Sequence, residues 1–135
     1  MKTSKSKWLA YTVLVGLIPI ASRLLVWSVA TDGVVAPLAS TDFVAFGLVL
    51  HISNINELEH VSSQSQHWKT VQNGISVIFI ALYSVLFAVT LLAEKSPKLF
   101  DPKALLVCVA ALAATSLVLS LSVLHRLTAS SREGQ

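Results

Sequence analysis

The stretch DFVAFGLVLHISNINELEH, residues 42–60, opens like a membrane helix and closes like a soluble one. In residues 43–52 only Gly47 and His51 are not apolar, whereas Asn54, Asn56, Glu57, Glu59 and His60 crowd the remainder. A helix rises about 1.5 Å per residue, so about 20 residues cross a hydrocarbon core of about 30 Å. The segment has that length without the uniform apolarity, and it decides whether the chain crosses a membrane three times or four. Ser40, Thr41 and Asp42 offer capping side chains at its start. Past His51, Ile52, Ile55, Leu58 and Val61 recur every three residues as one apolar stripe. Trp68, Val71 and Ile75 form a matching stripe on the returning segment, across a polar corner at residues 62–66. The pattern predicts a continuous span with a wet inner end.

Three other segments, residues 8–30, 74–93 and 104–124, are long and apolar enough to span without argument. Trp8 and Trp27 are separated by about 28 Å of helix, the distance between the two interfacial belts. Pro19 should bend the first helix, and Gly16 gives room for a neighbour. The fold class expected is all-α and integral to a membrane: one domain, residues 1–135, with spans near 8–30, 41–60, 70–93 and 104–125. Helices 2 and 3 extend as a short cytosolic hairpin, and the polar tail at residues 128–135 frays.

Composition agrees with the membrane assignment. The chain is 54% hydrophobic and 13% charged, against about 25% charge in soluble domains; its mean hydropathy is +0.71. The lone Cys108 lies in an apolar run, so neither an intramolecular disulfide nor a cysteine-based metal centre is available. The net charge of +3 comes largely from Lys2, Lys5 and Lys7 and from Lys95, Lys98 and Lys103. These clusters flank apolar runs and form no basic stripe interleaved with aromatics, which points to membrane orientation rather than nucleic acid. The N-terminal run imitates a secretory signal but is longer than the usual h-region of about 7–15 residues and carries Arg23, so it is expected to be retained. With four spans, Lys2, Lys5, Lys7, Lys69, Arg126 and Arg132 share one side and Lys95, Lys98 and Lys103 the other. That bias favours both termini on the cytosolic side of a plasma membrane.

Few side chains suggest chemistry. Arg23, inside the first span, either snorkels to the outer interface, pairs with Asp42 at the start of the second helix, or carries a gating charge, in falling order of expectation. Glu57 and His60 have the Glu-x-x-His spacing of di-iron bundles, but no second such pair accompanies them. Ser53, Asn56, Glu57 and His60 share one helical face that is expected to be solvated, with Glu57, Glu59 and His60 as the alternative docking surface for a partner. His51 and Asn54 lie too deep to face lipid, so they should either hydrogen-bond to other helices or ring the axis of an oligomeric channel. Ala110, Ala113, Ala114, Ser116 and Ser120 make a small-residue face on the last helix. No nucleophile elbow or phosphate-binding loop occurs, so no catalytic, metal-binding or cofactor-binding residue is expected.

In size and plan the chain is similar to the small four-span accessory subunits encoded beside soluble effectors in bacterial operons, including antiviral defence systems such as Kiwa. The likeness is one of architecture and covers the whole chain. It implies a non-enzymatic, oligomerising membrane subunit that anchors or senses for a soluble cytosolic partner, without direct contact to nucleic acid. A small oligomeric ion channel or depolarising effector is the alternative, and a membrane enzyme using Glu57 and His60 the third.

Overall fold

Gly33, with φ at 82°, and the prolines at 37, 97 and 102 interrupt the apolar runs and leave room for four helices. In the computed structural model, which describes residues 2–62 and 64–133, these are α1 (Lys2–Val29), α2 (Ser40–Glu59), α3 (Gln66–Lys95) and α4 (Pro102–Glu133). Three segments are long and apolar enough to cross a membrane: Ser6–Val29, Gln66–Lys95 and Pro102–Ser130. Helix α2 is not a candidate by that measure.

Contacts along the helices fix their arrangement. Trp8 meets Ser53 and Arg23 meets Asp42, so α1 and α2 run antiparallel. His51 meets Ser116 and Asn54 meets Ser120, so α2 and α4 run parallel. The result is an up-down-up-down bundle in which α2 and α4 each touch all three other helices, while α1 and α3 make no contact with each other among the described residues. The α2–α4 pair is therefore the inner diagonal. Along α2 only Ile52, Asn56 and Glu59 are exposed, whereas α1 and α3 turn long apolar rows outward, Tyr11, Leu14 and Ile18 on one and Val77, Ile78 and Val85 on the other. A helix enclosed by protein does not need lipid-compatible side chains all round, and this explains why α2 carries polar residues that its neighbours lack.

The inward register of α2 differs from the expected one. Val44, Gly47, His51, Asn54, Leu58 and Val61 are buried, alternating three and four residues apart in a heptad-like seam. Val109, Ala113, Ser116, Ser120, Val123 and Leu127 form the facing seam of α4. Ile52 is instead 58% exposed and Val71 45% exposed. Leu58 and Val61 belong to both patterns, which is how a strict three-residue repeat imitated the true seam. The packing partner of the returning segment is Trp68, which closes a cluster with Leu58, Val61, Val123 and Leu127.

Two further local expectations are corrected. The N-cap of α2 is Ala39 and makes no side-chain capping bond; Asp42 sits inside the first turn and is drawn to Arg23. The polar tail does not fray within the described residues: α4 stays helical to Glu133 because Val123 and Leu127 pack on the α2–α3 corner and Gln64 bonds to Ser130. Arg126 also stacks over Trp68, 4.4 Å from the ring centroid, and donates through Nε to Gln64 Oε1 at 3.2 Å. The α2–α3 corner is thus not a lone hairpin but part of a four-helix head built with α4 and the start of α1.

Candidate functional site

The middle of the α2–α4 seam is polar, and the sequence builds it from side chains of four helices. Tyr83 enters from α3 and is fully buried. Its ring packs closely on α2 at Gly47, where a Cβ would stand 2.1 Å from Tyr83 Cζ. Glycine is required there by close approach of the ring, not by backbone geometry. The Tyr83 hydroxyl meets Ser116 Oγ at 2.7 Å, Ser116 Oγ meets His51 Nε2 at 2.8 Å, and His51 Nδ1 meets Ser76 Oγ at 3.2 Å. Phe79 stacks on the imidazole with centroids 4.7 Å apart.

A neutral imidazole offers one donor and one acceptor. If Tyr83 donates to Ser116, Ser116 donates to His51 Nε2 and His51 Nδ1–H donates to Ser76, every proton in the chain has an acceptor within it except that of the Ser76 hydroxyl. The reverse order leaves the Tyr83 hydroxyl proton without an acceptor among the described residues. Each order thus leaves one end hydroxyl with a proton to give, and the His51 tautomer follows from which end finds an acceptor outside the chain.

One turn further along α2, Asn54 donates from Nδ2 to Ser120 Oγ at 3.0 Å and is 2% exposed. On the α1 side, Trp8 Nε1–H donates to Ser53 Oγ at 2.7 Å, and Thr12 Oγ1 lies 2.8 Å from the same oxygen. Ser53 is thus a link between helices rather than part of the solvated face expected with Asn56, Glu57 and His60. Together these residues tie α2 to all three neighbours, His51 to α3 and α4, Asn54 to α4 and Ser53 to α1, which fixes helix order and register more sharply than apolar packing alone.

The other singled-out residues are at the two ends. Arg23 and Asp42 form a salt bridge, their side chains 31% and 13% exposed. At the head, Glu59 and His60 are exposed and Glu57 is half-buried. His60, the C-cap of α2, donates from Nδ1 to the carbonyl of Asn56 at 2.7 Å, which commits that nitrogen to the backbone of the last turn. Lys69 donates to the carbonyl of Val61 at 2.7 Å, satisfying one of the free carbonyls after the end of α2.

Sequence reasoning singled out His51 and Asn54 but overlooked Tyr83 and Ser76, and it took Ser116 and Ser120 only as small residues. A signal existed: Ser116 and Ser120 fall on the same heptad seam as Val109, Val123 and Leu127, matching the His51–Asn54 step on α2. The chain is all-helical with three helices able to cross a membrane, and comparison with protein-family models, curated proteins and solved structures finds no match.

Proposed function

We propose that the chain is a non-enzymatic, four-span membrane protein whose polar head docks a soluble cytosolic partner. The supporting observation is that the polar end of the bundle is a packed head rather than loose loops, with Glu59 and His60 exposed and Glu57 half-buried on a helix whose inward face is fully used. In this reading α2 crosses as the enclosed helix, and its polar seam is tolerated because protein, not lipid, surrounds it. Between Asp42 and Glu57 it carries no charge over about 22 Å of helix. Arg23 and Asp42 neutralise each other where the outer interface begins. His51 and Asn54, 0% and 2% exposed within one chain, are turned away from any axis between copies, which counts against the pore-lining alternative.

Two measurements test this. Single cysteines at Ser6 and Ser130 should both be labelled from the cytosolic side; labelling from opposite sides would mean an odd number of crossings and remove α2 from the membrane. Glu57→Lys with Glu59→Lys should leave the fold intact, since surface changes of this kind stay within about 0.5 kcal/mol. The pair should reverse the local charge, weaken retention of a basic partner in gentle purification and make the residual binding more salt-sensitive. Full retention accompanied by altered bilayer current would sink the docking proposal in favour of a channel.

A further inference from the structure

Two buried side-chain oxygens in the bundle have no hydrogen-bond partner among the described residues, Asn54 Oδ1 and Asn73 Oδ1. They are not independent accidents. Helices α2 and α3 run antiparallel, and the His51–Ser76 contact aligns them. Moving one turn along α2 from His51 reaches Asn54, and moving one turn back along α3 from Ser76 reaches Asn73, so the two orphaned oxygens share a level between the same two helices. Both are carbonyl oxygens, so neither can satisfy the other. An acceptor buried without a donor loses the free energy that water would have supplied, and native cores resolve such sites with a bound donor.

We propose that Asn54 and Asn73 form a binding site for one internal water molecule, which donates a hydrogen bond to each amide oxygen. Water fits the donor set better than an ion. No carboxylate shares the site: the nearest acidic side chain along either helix is Glu57, a turn further toward the head. Two amide oxygens with only the hydroxyls of Ser76 and Ser120 at neighbouring turns do not compensate the desolvation of a cation. A water with two acceptors has its oxygen free to accept in turn, and the geometry offers such a donor. In the order that runs from Tyr83 to Ser76, His51 Nδ1–H donates to Ser76 and the Ser76 hydroxyl keeps its own proton to give, so the bound water would select that order. The bound water then joins the Tyr83–Ser116–His51–Ser76 chain to Asn54–Ser120 and makes one continuous polar column reaching toward the head.

The test is nuclear magnetic resonance on the full chain, labelled at its asparagine side chains and held in detergent micelles or nanodiscs. Asn54 Nδ2–H should show a cross-peak to a long-lived water resonance, and the peak should vanish in Asn73→Leu. Asn73→Leu alone should lower the apparent melting temperature by several degrees. Adding Asn54→Leu and Ser120→Ala, which removes the remaining polar partners, should cost little more. Absence of the water cross-peak in the unmodified chain overturns the proposal whatever the variants do. It is equally overturned if the cross-peak is absent while Asn54 and Asn73 couple strongly, because the Asn54 amide then donates directly to Asn73. A melting temperature that rises with sodium but not with choline would identify a cation and overturn it as well.

Discussion

Gly47→Ala destabilises the bundle, although the same substitution in an open helix is stabilising. Alanine has a helix propensity about 1 kcal/mol better than glycine. At Gly47, however, the new Cβ would stand 2.1 Å from Cζ and 2.4 Å from both Cε2 and the hydroxyl of Tyr83. The ring is fully buried against Val44, Leu105 and Val109 and its hydroxyl is committed to Ser116, so it has nowhere to retreat. Overpacking of a closed core costs about 1–3 kcal/mol and occasionally more, and this site should lie at the upper end. Gly74→Ala is the matched control. It lies inside α3 with nothing within 4 Å of the new Cβ, so it should raise stability instead. Apparent melting temperatures in one detergent would show opposite signs for the two. Tyr83→Leu should mask the effect of Gly47→Ala, leaving the double variant no worse than Tyr83→Leu alone. Additive losses would mean that the α2–α3 interface does not depend on this contact.

The contrast between those two glycines shows what could be read from the chain alone. Both appear as isolated glycines within helical stretches, and their difference lies in a tyrosine that packs on one and not on the other. Lipid-facing apolarity is a property of each segment by itself, so the three long helices were visible without knowing their neighbours. The register of α2 is a property of pairs. Ile52, Ile55, Leu58 and Val61 satisfy a period, yet Ile52 faces outward because the seam of α4 presents serines at the level of His51 and Asn54. An apolarity pattern counts polar residues as breaks in a stripe, and here they are its centre. For Arg23 the sequence favoured snorkelling and held the pair with Asp42 second; the structure shows the pair, because the short α1–α2 loop returns Asp42 to the level of Arg23. The head was misjudged because the polar tail of α4 was weighed by composition, while its helicity comes from Val123 and Leu127 packing against Leu58 and Trp68.

His51→Leu should produce the largest loss among single changes in the seam that leave the backbone unstrained. It removes the hydrogen-bond partners of Ser116 and Ser76 together, along with the stack on Phe79. Each buried hydroxyl left unmatched costs about 1–3 kcal/mol. Part of that is recovered where a serine turns to a carbonyl one turn back in its own helix, so a net loss of about 2–4 kcal/mol is expected. Removing one partner is the costly case; removing all of them is not. Ser76→Ala and Ser116→Ala added to His51→Leu would leave the Tyr83 hydroxyl orphaned, so the fully dried core also needs Tyr83→Phe. That quadruple variant should regain much of the lost stability, because apolar groups of similar size replace every member of the chain. A quadruple variant no more stable than His51→Leu would show that packing volume, not hydrogen bonding, sets the value of this layer. The docking proposal supplies a second readout on the same preparations. The head is built on Leu58, Trp68, Val123 and Leu127, a separate cluster from the Tyr83 layer. A dried but stable core should therefore retain a head-bound partner as well as the unmodified chain does. Loss of the partner at recovered stability would mean instead that the polar chain through His51 communicates with the head, and that the seam is part of the function rather than only its scaffold.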